Sequence, residues 1–298
     1  MKKEFHLAVI ITQEDLAVYC EHKNVDSATL LPKLYTAFLD VFFRKETDTL
    51  LKHEPYDHAI YLKEDTQVSV FTLYSMSRDE ALKLRWYLDE NLSKEFIWVS
   101  HSDAAASVLF MKKPEEGLHF CVNYWGLNVI TVKNWYSLPL ISETLNHLSW
   151  VRIFIKLDII AAFNRLCIWE GNEVLTAFCT HFSLFEYLVM PFDLCNSSAS
   201  FQNYINDTLQ KYLDNFCTVY LNDILIYSKI KAEHEIHVKR VLQKLHEVSL
   251  QADIIKCTFH IKKISYLELI IITEEVKMNS AKVNIIVKWL TLMNIKNI

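Results

Sequence analysis

Glycine is scarce in this chain. Three residues (Gly117, Gly126, Gly171) in 298 is about 1%, against a usual ~7%. Glycine serves wherever φ must be positive or the backbone must come close to a ligand, so either the fold avoids such turns or glycines have been lost. Cysteine pairing signals are missing too: the seven cysteines are odd in number, scattered and never spaced as CxxC. That argues against a disulfide framework and a zinc ribbon, and predicts a reducing, intracellular setting. Met1–His6 is charged and Leu7–Ile11 is too short for a secretory signal core. No apolar run approaches the ~18 residues that cross a bilayer, so no membrane partner is expected.

A strong positive charge is absent as well. The net charge of −5 is not the footprint of a strongly basic nucleic-acid binder. From Lys229 to the end, however, 12 Lys/Arg face 7 Asp/Glu, an excess of +5 against −10 for residues 1–228. Phosphate affinity follows local charge, although a solvated lysine-rich helix face explains that excess equally well. What the chain has in quantity is apolar residues: 51% hydrophobic against 22% charged, a composition that buries a core. The length suits one large domain or two modest ones.

No internal repeat or low-complexity segment is present. A short helix is expected over Leu34–Phe43, then a charged, loop-like stretch to about Ser75. Ser77-Arg78-Asp79-Glu80 fits a capping box and opens a helix through about Lys94. Ser107–Lys112 and His119–Tyr124 read as a strand pair across the polar turn Lys113–Gly117. Val151–Leu157 is a strand ending at Asp158. Phe216–Leu221 and Ile224–Tyr227 are β-prone runs separated only by Asn222-Asp223, residues that suit a tight hairpin. Val238, Val241, Leu242, Leu245 and Val248 mark the buried stripe of an amphipathic helix. Hairpins mixed with packed helices make the fold class α+β rather than a βαβ array.

Two acids stand out, Asp158 at a strand end and Asp223 at a hairpin tip beside Asn222. Carboxylates on neighbouring strand ends can converge on hard cations such as Mg²⁺, which takes oxygen ligands. Two such ions ~3.5–4 Å apart clamp the attacking and leaving oxygens of a phosphoryl transfer. Singly, each acid has a structural explanation: Asp158 as a helix cap, Asn222-Asp223 as a turn.

Their company points further. Tyr220-Leu221-Asn222-Asp223, followed by Ile224–Ser228, resembles a YxDD hairpin with one Asp replaced. Lys156-Leu157-Asp158 resembles the first catalytic aspartate motif, about 65 residues upstream. Tyr187–Phe192 and Phe201-Gln202 resemble "YLVMPFGL…FQ", and Phe120–Asn128 resembles "FCVDYRxLN". Together these motifs resemble the reverse transcriptase region of a gypsy-like LTR retrotransposon Pol polyprotein, from about Leu31 to the C-terminus.

The resemblance implies a right-hand polymerase with palm and fingers, an antiparallel central sheet with packed helices, and a truncated thumb. It divides the chain into a poorly specified leader (1–33), a pre-polymerase linker (34–76), fingers and palm (77–270) and the start of a thumb (271–298). It implies RNA-directed DNA polymerase activity on an RNA or DNA template with primer, using deoxynucleoside triphosphates and two Mg²⁺ ions; oligomeric state stays open. By position, Asp158 and Asp223 would hold the metal ions, with Asn222 at the third catalytic position. Lys112 or Lys113, His119, Phe163, Phe192 and Gln202 would face the nucleotide and template. Tyr266 and Leu267 would contact the primer.

The departures from the family pattern fall on working positions. Asn222 replaces the first YxDD aspartate, and His119 replaces an arginine that grips the triphosphate with a permanent charge and a fork of donors. Asn123 and Trp125 replace the D and R of "FCVDYR". Asp193 and Glu268 replace glycines, and Ser198 replaces a proline. All these changes can be written as single C→T or G→A transitions, which would also account for the missing glycines. A degenerate copy with weak or no polymerase activity is therefore expected. The alternatives are a catalytically dead nucleic-acid-binding relic and a palm-fold interaction protein.

Overall fold

The structure, a computed structural model, describes residues 27–66, 73–113, 117–148, 151–267, 269–272 and 275–278, with 283, 284 and 287. Local chemistry sets its clearest elements. Ser77 N–H donates to the Glu80 carboxylate at 2.8 Å and Glu80 N–H donates back to the Ser77 hydroxyl at 3.4 Å. This reciprocal cap satisfies donors that a helix N-terminus leaves free, and the helix runs Arg78–Ser93. The apolar stripe downstream also forms its helix, Lys231–Glu247, which buries Val238, Val241, Leu242 and Leu245.

Twelve strands are described: β1 (Ile97–Val99), β2 (Ala106–Lys113), β3 (Gly117–Asn123), β4 (Ile153–Asp158), β5 (Phe178–Cys179), β6 (Leu184–Tyr187), β7 (Cys217–Tyr220), β8 (Asp223–Ser228), β9 (Thr258–Ile261), β10 (Lys263–Tyr266), β11 (Leu269–Ile272) and β12 (Glu275–Met278). They form a five-stranded sheet, β1-β6-β5-β2-β3, a four-stranded sheet, β7-β8-β4-β9, and a three-stranded sheet, β10-β11-β12. Every pairing is antiparallel except β2 with β5. The α+β class is as expected. Strands β4 and β8 are the centre of the four-stranded sheet: Ile155, Leu157, Ile224, Leu225 and Ile226 are all at 0% exposure. Both faces of that pair are covered, so alternating faces cannot be read from hydropathy there. The helices Ser197–Leu209 and Lys231–Glu247 pack against this sheet.

Part of the expected linker, 34–76, is packed: Tyr35, Val41, Phe42 and Ile60 lie in the same core cluster as β4 and β8, while residues 67–72 lie outside the described residues. Their segment begins with a 3₁₀ helix, Lys33–Phe42, and Leu31 before it is buried in the same cluster; residues 1–26 of the expected leader lie outside the described residues. Downstream, a boundary at 270/271 would cut through β11, and β12 continues the same sheet. Most of the expected thumb lies outside the described residues.

Arg165 ties the N-terminal segment down. It is buried at 3% and its guanidinium donates to the carbonyls of Thr49 (3.4 Å), Glu46 and Thr47 (both 3.5 Å) and Ser249 (3.0 Å). Arg165→Met would strip these carbonyls of a charged donor while keeping the packing of the stem. The expected loss is about 2–4 kcal/mol of folding free energy. Urea unfolding measures it, and a change within about 0.5 kcal/mol, the range of ordinary surface substitutions, would show that the anchor carries no weight.

Candidate active site

Asp158 closes β4 and Asp223 opens β8, and the register places them directly opposite one another. The hairpin before Asp223 has Tyr220 paired with Asp223, so its two-residue loop is Leu221-Asn222. The expected turn at Asn222-Asp223 thus sits one residue earlier, and Asp223 is fixed in the ladder. The unusual backbone is at Leu221, with φ +53°. A leucine in the left-handed region costs roughly 1–2 kcal/mol.

Gln202 compensates for that cost. Its Oε1 accepts from Leu221 N–H at 2.8 Å, and its Nε2 donates to Val219 O at 3.2 Å and to Asn206 Oδ1 at 2.8 Å. The residue is at 0% exposure. Gln202, expected from its position in the motif to face nucleotide or template, is turned inward and braces the β7–β8 hairpin from the adjoining helix. Gln202→Leu should cost about 1–3 kcal/mol, because it leaves the Leu221 N–H and Val219 carbonyl without their partner. Chemical denaturation tests this. Stability equal to the unmodified chain would remove the bracing role.

The carboxylates sit in a charged network. Asn222 Nδ2 donates to Asp158 Oδ2 at 3.3 Å, and Lys156 Nζ lies 2.9 Å from Asp223 Oδ1, both side chains about one-fifth exposed. Ile159 N–H donates to the Asn222 carbonyl and Asp253 N–H to the Asp158 carbonyl, each at 2.8 Å. Burial holds the Asp158 carboxyl above the usual carboxylate range; Lys256 counters this, Asp223 adds to it and Lys156 counters it. Two facing carboxylates with an amide oxygen offer a donor set for a hard divalent cation. Among the described residues, no third Asp, Glu, His or Cys ligand atom clusters with them. The set suits one bridged ion well and a second one poorly.

The other expected site residues fall into two groups. Lys112 and His119 are exposed on the β2–β3 ribbon, opposite Leu118 and Met111 respectively; the Lys113 side chain lies outside what is described. Asp193 approaches this ribbon. Burial raises its carboxyl, which the Val122 backbone and His119 partly offset. Phe192 is 69% exposed, with its ring edge-on to half-buried Phe163 at 4.9 Å. Phe163 in turn meets buried Phe201 at 5.8 Å, so an aromatic file runs from surface to core.

Tyr266 does not belong to an exposed surface. At 2% exposure it packs with Phe154, Leu225 and Tyr227, because Ile264 and Tyr266 share the inward face of β10 while Lys263 and Ser265 point out. Its expected primer contact is therefore corrected. Leu267 sits at the turn after it with φ +48° and packs on the same cluster. Glu268 lies outside the described residues.

Sequence reasoning missed Lys156, although a signal existed. Two residues apart on one strand, Lys156 and Asp158 share a face, and Asp223 is the diagonal cross-strand neighbour of Lys156. The approach of Asp253 and Lys256 had no such signal, since about 95 residues separate them from Asp158.

Comparison with known proteins gives a consistent picture. A family model described as reverse transcriptase (RNA-dependent DNA polymerase) matches residues 111–271. The Tf2-3 and Tf2-7 transposon polyproteins of Schizosaccharomyces pombe are each 31% identical to the chain over 245 residues, or 82% of this chain. The chain spans 18% of the length of those polyproteins. Among solved structures, a foamy viral protease-reverse transcriptase in complex with an RNA/DNA hybrid superposes with a TM-score of 0.77 at 17% identity, over 97% of this chain and 39% of that one. A second such protein, in complex with double-stranded DNA, gives 0.76 at 16% identity, over 99% and 52%. At these identities the structural likeness speaks for the fold alone.

Proposed function

This chain belongs to the reverse transcriptase (RNA-dependent DNA polymerase) family, in the branch of gypsy-like retrotransposon polyproteins, and from that membership we propose that it binds a primed RNA or DNA template while its nucleotidyl transfer is impaired at Asn222. The observation that carries this reading is the pairing of Asp158 with Asp223 across β4 and β8, with an amide in place of a third carboxylate. The family works with divalent metal ions, and for this chain the reading is Mg²⁺, one ion held by Asp158 and Asp223 and the second of the pair held only poorly by this donor set. Bound there, they would neutralise the triphosphate and stabilise the attacking and leaving oxygens of an in-line displacement.

The residues of this chain then act as follows. Asp158 and Asp223 supply two negative charges where three would balance the cations better. Asn222 adds none, and its N–H points at an Asp158 oxygen that a cation would need. Lys156 must release Asp223 before that carboxylate can ligate. On the β2–β3 ribbon, Lys112 and Lys113 are the candidates for triphosphate contact. His119 lacks a permanent charge, and Asp193 beside it repels phosphate. Phe163, backed by Phe201, is the candidate for the surface that stacks under the incoming sugar.

Two measurements on the purified chain test the proposal. A labelled primer–template should be retained, with affinity that falls as salt rises, and Mg²⁺-dependent extension should be slow. Rapid extension would overturn the impairment. Absence of any salt-dependent retention would overturn the nucleic-acid reading and leave the fold as an interaction domain.

A further inference from the structure

Among the described residues, one group of donor side chains sits apart from the paired aspartates. A ring nitrogen of His53, an oxygen of Asp57 and Cys167 Sγ all lie within 4.8 Å of one another. His53 and Asp57 come from a turn, closed by Asp57 N–H donating to Glu54 O at 3.0 Å. Cys167 comes from the core. The backbone fixes their neighbourhood: His58 N–H donates to Cys167 O at 2.8 Å and Trp169 N–H donates to His58 O at 3.0 Å. The residue before His58 is thereby held beside Cys167.

The side chains are arranged as ligands would be. Asp57 is nearly enclosed, its carboxylate 5% exposed. One of its oxygens, Oδ1, accepts from Glu54 N–H at 3.2 Å. The other, Oδ2, faces His53 Nδ1 at 2.5 Å. Cys167 is 3% exposed, and its thiol donates to Leu51 O at 3.3 Å. His53 is 58% exposed, so it can swing and leave a way in from solvent.

We infer that His53, Asp57 and Cys167 form a binding site for a zinc-type divalent transition metal, with the fourth position open to water. One nitrogen, one oxygen and one sulfur donor match a borderline-soft ion and do not match Mg²⁺ or Ca²⁺, which take oxygen ligands. Zinc bond lengths of about 2.0–2.3 Å place tetrahedral donors roughly 3.3–3.8 Å apart. The His53–Asp57 hydrogen bond opens by somewhat under an ångström to reach this, a rotation available to the exposed imidazole. On binding, the thiol gives up its hydrogen bond to Leu51 and its proton. That thiol proton leaves as the ion binds. The ion would clip the segment at residues 51–57 onto the core at Cys167, a structural role independent of the polymerase reading.

Cobalt is the direct probe. The full chain, stripped with a chelator and kept reduced, should take up one equivalent of Co²⁺ with a thiolate-to-cobalt charge-transfer band. Zn²⁺ should displace it and Mg²⁺ should not. His53→Ala, at an exposed position, should fold normally and bind about 100-fold more weakly or worse. Cys167→Ser should abolish the band, and if that variant fails to fold, His53→Ala decides alone. Zinc at a hundredfold excess over its dissociation constant should raise the melting temperature by about 5 °C. Absence of the cobalt band in the unmodified chain, or its retention at full affinity in either variant, overturns the site.

Discussion

Asn222→Asp should raise Mg²⁺-dependent primer extension by roughly 10²–10⁴, the equivalent of about 3–5 kcal/mol at 1.36 kcal/mol per tenfold. The substitution adds a negative charge at the tip of the β7–β8 hairpin, next to Asp158 and Asp223. It also removes the amide hydrogen that now points at Asp158 Oδ2. Both changes act where charge develops in the transition state, so the gain should appear in kcat more than in KM. His119 and the neighbouring Asp193 remain in the variant, so nucleotide affinity should stay weak and the rescue partial. Single-turnover extension with saturating primer–template separates these contributions. A folded variant with no gain would show that the damage lies elsewhere, and rapid extension by the unmodified chain would remove the premise.

The second large effect is a loss of stability in mild acid. His58 is 2% exposed and His234 fully buried. Burial pushes their imidazoles down, to about 4 for His58 and about 3 for His234, where His260 and His237 add to the shift. Each faces a serine hydroxyl, Ser200 at 2.9 Å and Ser228 at 3.0 Å, respectively. In the unfolded chain both take up a proton near pH 6.5; folded, they resist until pH 3–4. Below pH 6.5 the unfolded state binds protons that the folded state does not, so stability falls with pH.

By pH 5 the two residues together should cost about 4 kcal/mol, a large share of the 5–15 kcal/mol typical of a domain. Asp158 and Asp193 carry raised carboxyls and act in the opposite sense in more acid solution, so the window from pH 6.5 to 5 is the cleanest. Urea unfolding at pH 7 and pH 5 measures the difference, to which the burial-lowered imidazoles of His181, His237 and His260 add in the same sense. His234→Gln should lower it by about 2 kcal/mol. A flat profile over that window would mean the two rings are solvated in solution.

How far residues alone specify this protein depends on the range of the interaction. The Ser77 capping box, the apolar stripe of the Lys231–Glu247 helix and the β2–β3 ribbon are local patterns. The capped helix and the ribbon formed within a residue or two of their expected limits, and four of the five stripe residues lie buried inside their helix. The pairing of Asp158 with the YxDD-like hairpin was legible because spaced motifs carried it. Three other features needed the folded chain. Residues 34–76 look like a linker because their buried side chains are sparse in sequence, yet Tyr35, Phe42 and Ile60 join the core. Gln202 and Tyr266 sit in motifs whose resemblance implied contact with ligand, but only packing shows that both point inward.

The charges around Asp158 are the last such case. Lys156 reaches Asp223 across one strand pair, while Asp253 and Lys256 arrive on a segment almost a hundred residues later. Sequence alone determined that Asp158 and the Asn222-Asp223 pair end neighbouring apolar strands, because motif spacing and strand periodicity are properties of the chain. Their protonation, their partners and their access to solvent were decided by tertiary structure, because burial and Coulomb interactions depend on distance in space and on the dielectric that packing creates.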